Sequence, residues 1–136
     1  MSTYTIEPIG FVQSSITSRE DAAKQGYEGA PDAWITLNPN VADALGGTKK
    51  GDEIILITWF HLSKRDTLAV HPRGDKNNPL TGVFATRSPD RPNPLGLHRV
   101  TVLEVNGPTL KVGPLEAIDG TPIVDVKPVL GQIDER

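Results

Sequence analysis

The chain of 136 residues contains no cysteine. This absence excludes a disulfide framework, a thiolate nucleophile and any metal or cluster held by cysteine. No stretch approaches the roughly 18 consecutive apolar residues that a membrane-spanning helix needs. The N-terminus, Met1 to Thr5, also lacks the basic and apolar regions of a signal peptide. The sequence therefore predicts a cytoplasmic protein with no membrane association.

The common catalytic and nucleotide-binding motifs are also missing. There is no GxGxxG or GxxxxGK[ST] phosphate loop, no HExxH metal motif and no GxSxG nucleophile turn. His61 and His71 are ten residues apart, with no acidic cluster beside them, so we expect no metal site. A function, if it is enzymatic, must use another kind of site.

The charges are unevenly distributed along the chain. The net charge is −3, yet the segment from His61 to Arg99 carries +4 and the remainder −7. All three histidines fall inside this basic segment. A locally positive segment in an acidic protein favours a phosphate-bearing partner. The alternative is a solvated loop surface that binds nothing.

The most distinctive stretch is residues 82–99. Its apolar start, Val83 to Ala85, predicts a short strand. Pro89, Pro92 and Pro94 then remove three backbone donors and fix three φ angles, which neither a helix nor a central strand tolerates. The sequence predicts a rigid, extended loop there. Such stiffness suits side chains that must be held still for a ligand, and a purely structural turn is the open alternative.

Short apolar segments separated by turn residues make up most of the chain, and glycine and proline together supply 25 residues. Strands are predicted at 5–12, 33–37, 53–60, 67–70, 82–86, 97–105, 109–112 and 121–127. Minor helices are predicted at 18–26 and 38–45, a tight turn or loop at 115–120, and a hairpin at Asn106-Gly107. The βα alternation of a parallel sheet is missing. We expect a mostly β protein, a small antiparallel barrel, closed or partly open, with one or two short helices.

Two blocks of the sequence resemble a known family. The first runs from Gly82 to Pro89 and continues from Arg91 to Leu97 as RPNPLGL; the second runs from Asp119 to Pro128 as DGTPIVDVKP. Weaker matches lie upstream, at Ile9-Gly10, at 24–26 and at 59–61. Together they cover nearly the whole chain in order. The sequence resembles the TrmO family, also called TsaA-like or YaeB-like.

The resemblance implies an S-adenosylmethionine-dependent methyltransferase working as a homodimer. It implies one TsaA-like β-barrel domain over residues 1–130, followed by a tail at 131–136. The best-known members methylate N6 of the threonylcarbamoyl-adenosine next to a tRNA anticodon, so tRNA is the expected partner. Alternatives are a methyltransferase that acts on a small molecule and a non-catalytic module that binds S-adenosylmethionine.

Carried over to this sequence, the resemblance also implies site residues. The cofactor contacts would fall on Gln25, Gly26, Phe60, His61, Leu62, Arg87, Leu97, Leu115, Glu116, Ala117, Ile118, Asp119 and Thr121. The candidate proton acceptors for catalysis are His61 and Asp119. The predicted phosphate contacts to RNA are Lys64, Arg65, Arg73, Lys76, Arg91 and Arg99.

Several of these residues have alternative interpretations. Arg87 could bind the carboxylate of the cofactor or a structural aspartate. Asp119-Gly120 could be a plain turn, and His61 a histidine that only ends a strand. Asp125 and Lys127 fit a structural pair or a dimer contact better than a catalytic role.

Overall fold

A closed antiparallel barrel of six strands forms the body of the protein in the computed structural model, which describes residues 2–20 and 29–131. The barrel strands are β1 (Gly10–Gln13), β2 (Ala33–Leu37), β3 (Glu53–Trp59), β6 (Leu95–Asn106), β7 (Thr109–Gly113) and β8 (Pro122–Pro128). A separate two-stranded sheet pairs β4 (Ala69–Val70) with β5 (Thr81–Gly82). Short 3₁₀ segments lie at Pro39–Leu45, Pro72–Gly74 and Val83–Ala85. In these described residues, no helix is long and apolar enough to cross a membrane.

The strand order around the barrel is β1-β2-β7-β6-β3-β8, and β8 closes back onto β1. Closure pairs both edges of every strand, which explains how such short strands remain stable. Alternate residues of each strand point inward. Ile35, Leu56, Leu110 and Ile123 are completely buried and form the centre of the core.

The pairing brings the functional segments to one end of the barrel. Thr58, near the end of β3, lies opposite Gly96 at the start of β6 and opposite Ile123 at the start of β8. The proline-rich loop before β6 and the 115–121 segment before β8 therefore both emerge beside Phe60, which follows β3. We call this the Phe60 end of the barrel.

Most of the predicted architecture is confirmed: a mostly β, closed antiparallel barrel. The strand over 33–37 has the predicted bounds, and β6 and β7 form the predicted hairpin, with Asn106 opposite Thr109. The first strand is shorter than predicted and begins at Gly10, while β6 begins earlier, at Leu95. The predicted helix at 18–26 lies mostly outside the described residues.

The prediction of a strand over residues 82–86 is wrong. Only Thr81–Gly82 pairs with β4, and Val83–Ala85 turns into a 3₁₀ segment. The carbonyl of Val83 explains the turn. It accepts hydrogen bonds from the N–H and the hydroxyl of Thr86, at 3.0 and 2.9 Å, and from the guanidinium of Arg91. These local bonds outweigh the strand preference of three apolar residues.

Candidate functional site

A cavity of about 380 Å³ opens at the Phe60 end. It is bounded on one side by the loop after β3 and the proline-rich loop, and on the other by the segment before β8. The described residues that line it are Arg19, Phe60, His61, Leu62, Ser63, Arg87, Pro89, Glu116, Ala117, Ile118 and Thr121. The proline-rich loop and the 115–121 segment, which are separated by some thirty positions in the sequence, thus meet in one cavity.

The proline-rich loop is fastened to the loop after β3. Asp90 accepts a hydrogen bond from the backbone N–H of Lys64 at 2.9 Å and one from the guanidinium of Arg19 at 3.1 Å. Burial would raise the pKa of Asp90, but these two bonds outweigh it and hold the pKa below its ordinary value. Arg65 donates to the carbonyl of Pro92 and to the side chain of Asn93, at 2.7 and 3.0 Å. The loop is therefore rigid because of these clamps as well as its prolines.

The two arginines at the start of this loop serve different purposes. The guanidinium of Arg91 donates to the carbonyls of Val83, Thr86 and Ser88 and is half-buried. Arg87, by contrast, is exposed and lines the cavity. Among the described residues, no acidic side chain or carbonyl pairs with its guanidinium. Arg87 therefore has donors available for a ligand.

We predict that Arg91→Ala lowers the free energy of unfolding by about 2 kcal/mol, because it leaves backbone carbonyls of the turn without their charged donor. Arg91→Lys should recover only part of this loss, since one ammonium cannot span the same carbonyls. Urea titration of the three proteins tests the prediction. Equal stability of all three would show that the turn does not depend on the guanidinium.

The second wall, residues 115–121, is held by backbone hydrogen bonds. The N–H of Leu115 donates to the carbonyl of Pro31 at 2.9 Å, and the N–H of Asp119 donates to the carbonyl of Ile16 at 2.7 Å. The hydroxyl of Thr121 donates to the carbonyl of Ile118 at 2.5 Å. Ala117, within this wall, is almost completely buried. The segment is an ordered loop, in agreement with the tight turn or loop predicted there.

Glu116 brings a carboxylate to the cavity. Partial burial raises its pKa above the ordinary value. Within the part of the chain that the structure describes, no basic side chain forms an ion pair with it. The cavity thus holds a cationic group, Arg87, and an anionic group, Glu116, between apolar walls formed by Phe60 and Ile118.

A tightly packed layer supports Phe60 from below. The ring of Phe60 meets the imidazole of His98 edge-on, with centroids 5.8 Å apart. The hydroxyl of Thr58 lies 2.8 Å from Nε2 of His98. A Cβ on Gly96 would lie 2.4 Å from the Phe60 ring and 2.5 Å from the Thr58 hydroxyl. Position 96 therefore needs glycine, which allows Phe60 to sit against the strand.

Comparison with known proteins identifies the family. The profile of the tRNA-methyltransferase O N-terminal domain matches residues 11–135. A "Probable S-adenosyl-L-methionine-binding protein" of Methanocaldococcus jannaschii is 46% identical over 128 residues, which is 91% of this chain and 90% of that protein. The "S-adenosyl-L-methionine-binding protein" of Archaeoglobus fulgidus is 40% identical, over 95% of this chain and 91% of its own length.

This chain belongs to the TrmO N-terminal domain family. The predicted resemblance is confirmed. A crystal structure of TrmO superimposes with a TM-score of 0.79 at 27% identity, covering the whole of this chain and 59% of that one. TrmO from Pseudomonas aeruginosa gives 0.75 at 25% identity, covering 99% of this chain and 60% of its own. The chain thus spans about three fifths of the solved TrmO chains and nine tenths of these archaeal relatives.

Most of the cofactor contacts carried over from the TrmO family converge on the cavity. Those lining it are Phe60, His61, Leu62, Arg87, Glu116, Ala117, Ile118 and Thr121. Three others do not line it: Leu115 is buried in the core, Leu97 lines a neighbouring groove, and the carboxylate of Asp119 binds the N–H of Ser14. Gln25 and Gly26 lie outside the described residues.

The two candidate proton acceptors differ in position. His61 is exposed and lines the cavity. Asp119 is not among the lining residues, and its carboxylate accepts a hydrogen bond from the backbone N–H of Ser14 at 3.0 Å. That bond ties the 115–121 segment to the end of β1, which is a structural task. Of the two, only His61 faces the space where a ligand would lie.

The six predicted RNA contacts fall into two groups. Three have guanidinium groups engaged within the protein: Arg65 with the proline-rich loop, Arg91 with the turn at 83–86, and Arg99 with Glu53. The other three, Lys64, Arg73 and Lys76, are exposed. Arg65 also lies over the ring of Trp59, at 5.1 Å from its centroid.

Sequence reasoning missed three residues of the cavity: Arg19, Ser63 and Pro89. Arg19 lines the cavity and donates to Asp90, which is 71 positions away, and no local pattern indicates this pairing. Pro89 lies within the first family block and could have been included. The predicted pair of Asp125 and Lys127 is present as an ion pair of 3.1 Å.

Proposed function

We propose that this protein binds S-adenosylmethionine in the cavity at the Phe60 end. We further propose that it transfers the methyl group to N6 of the threonylcarbamoyl-adenosine next to a tRNA anticodon. The observation that carries the proposal is the convergence of the two family blocks, through Arg87 and Thr121, on one cavity, together with residues 116–118 just before the second block. The names of the archaeal relatives, which describe S-adenosyl-L-methionine binding, support the cofactor.

The chemistry of the cavity fits this cofactor. Its volume of about 380 Å³ lies in the range of small-molecule sites. The guanidinium of Arg87 suits the carboxylate of the cofactor's methionine part. The carboxylate of Glu116 suits the positive charge of the cofactor. Phe60, Leu62 and Ile118 offer apolar surface for a flat ring. Backbone groups of the 115–121 loop can hydrogen-bond to the polar edge of that ring.

The cofactor, when bound, supplies a methyl group that is already activated by the adjacent sulfonium. The protein's task is to align the acceptor with that group and to exclude water. The acceptor nitrogen is a poor nucleophile because its lone pair is delocalised, so a proton acceptor would assist. His61 lines the cavity and can take that role. Arg87 orients the methyl donor and takes no part in proton transfer.

The proposed function is tested by transfer of a radiolabelled methyl group to bulk tRNA. We expect label on tRNA that carries the threonylcarbamoyl modification and none on tRNA from cells that cannot make it. Label on neither tRNA, with intact cofactor binding, would exclude this substrate.

A second candidate function is a module that binds S-adenosylmethionine without catalysis. The names of the archaeal relatives favour it, because they describe binding alone. Calorimetry with the cofactor would be positive for both candidates, while a salt-sensitive shift with tRNA is expected only for the RNA enzyme. A methyltransferase that acts on a small molecule would bind the cofactor and ignore tRNA. The homodimer implied by the family stays a prediction that sedimentation analysis can test.

A further inference from the structure

A second groove, of about 320 Å³, adjoins the cofactor cavity. The residues that line it are Phe60, Phe84, Thr86, Arg87, Arg91, Leu95, Gly96 and Leu97. Phe60 and Arg87 line both spaces. These two side chains therefore form part of a common boundary between the groove and the cavity.

The groove combines exposed apolar side chains with polar groups. Phe84 is 82% exposed and Leu97 is 55% exposed, although both have apolar side chains. A largely exposed aromatic ring beside polar groups and a binding cavity is suited to contact a flat ligand. Tyr4, at 87%, is a comparably exposed aromatic that lines neither space, so exposure alone does not define the groove.

The backbone holds Phe84 in this exposed position. Phe84 lies between Val83, which is buried, and the rest of the 3₁₀ turn. Thr86 and Arg91 both donate to the carbonyl of Val83, so the turn cannot easily rotate the ring inward. An aromatic ring is thus presented to solvent on a braced turn, ready to contact a ligand at low cost in entropy.

The combination of groups in the groove matches a nucleotide. Aromatic and aliphatic faces accept a flat base by stacking, and base recognition in single-stranded RNA depends on such surfaces. Arg87, at the boundary with the cavity, adds a positive charge that favours a nearby phosphodiester. Apart from Phe60, the lining residues belong to the segment 61–99, which carries +4.

We propose that this groove seats one unstacked base of the substrate RNA, with Phe84 as its stacking platform. The inference rests on the proposed function, since it takes the neighbouring cavity as the site of the methyl donor. It adds an RNA subsite and a positioning residue, Phe84, that binds the strand beside the reacting nucleotide.

The test measures binding of a fluorescein-labelled anticodon stem–loop that carries threonylcarbamoyl-adenosine. We expect Phe84→Ala to raise its dissociation constant by about 5- to 150-fold, the range that stacking contributes per base. Phe84→Trp should restore tight binding, and Tyr4→Ala should leave it unchanged. Unchanged binding by Phe84→Ala, or no binding of the stem–loop by the unmodified protein, would overturn the proposal.

Two further measurements separate the possible failures. Calorimetry should give the same S-adenosylmethionine affinity for Phe84→Ala and the unmodified protein. If neither binds the cofactor, the proposed function fails, whereas the stem–loop titration still decides the role of Phe84. Sedimentation should give the same mass for both proteins. A shift from dimer to monomer in Phe84→Ala would show that a second copy covers the groove, which contradicts the RNA assignment.

Discussion

Arg87→Ala should weaken S-adenosylmethionine binding by about 10- to 100-fold and leave thermal stability unchanged. The variant loses the hydrogen bonds between the guanidinium and the carboxylate of the cofactor, and such charged hydrogen bonds contribute about 1.5–3 kcal/mol to binding. Stability should not change because Arg87 has no hydrogen-bond partner in residues 2–20 and 29–131. Isothermal titration calorimetry gives the affinity, and a thermal melt gives the stability.

Two controls sharpen this experiment. Lys76→Ala removes the same charge from an exposed position that lines neither the cavity nor the groove, so cofactor affinity should stay constant. Arg87→Lys keeps the charge but loses the two-pronged geometry, so it should recover only part of the affinity. If Arg87→Ala binds as tightly as the unmodified protein, Arg87 does not hold the cofactor's carboxylate.

Acidification should destabilise the protein through His98. Burial lowers the pKa of His98 from its ordinary 6.5 to about 4. In the unfolded chain the imidazole of His98 is therefore protonated below about pH 6.5, whereas in the folded chain it is protonated only below about pH 4. Between these values the unfolded state holds more protons, so the free energy of unfolding falls as the pH falls. This pKa difference changes the free energy of unfolding by about 3 kcal/mol in total. The stability that it provides is fully present above pH 6.5 and is lost below pH 4.

The matched variant is His98→Gln, which can still hydrogen-bond to Thr58 but does not titrate. Urea unfolding from pH 7.5 to 3.5 should show the unmodified protein losing about 3 kcal/mol more than the variant. Acidic groups elsewhere titrate in both proteins and cancel in the difference. Parallel stability profiles would mean that His98 is not held neutral by burial. An NMR titration of the imidazole provides the pKa directly.

The barrel was predictable because its strands carry local signals. Residues 33–37 alternate inward and outward, and Asn106-Gly107 favours a tight hairpin, so both elements match the prediction. Closure followed from the number of short strands without helices between them. Val83 to Ala85 was mispredicted because its conformation depends on Arg91, which lies eight positions further on and donates to the carbonyl of Val83.

The site was predictable only through the family resemblance. Arg87 and residues 116–118 have no local feature that marks a cofactor cavity, yet the barrel register brings them together. Asp119 illustrates the opposite case. The family resemblance made Asp119 a candidate proton acceptor, and in the structure its carboxylate accepts a hydrogen bond from the N–H of Ser14. Sequence reasoning could not anticipate this bond, because it joins positions that are 105 residues apart.

The central claim is that the proline-rich loop and the 115–121 segment together form the pocket for the methyl donor. The most direct test is a crystal structure of the protein grown with S-adenosylmethionine. We expect the donor between Arg87 and Ile118, with its carboxylate on the guanidinium of Arg87 and its ring against Phe60 or Leu62. A donor bound elsewhere on the barrel, or a cavity left empty at saturating donor, would contradict the account.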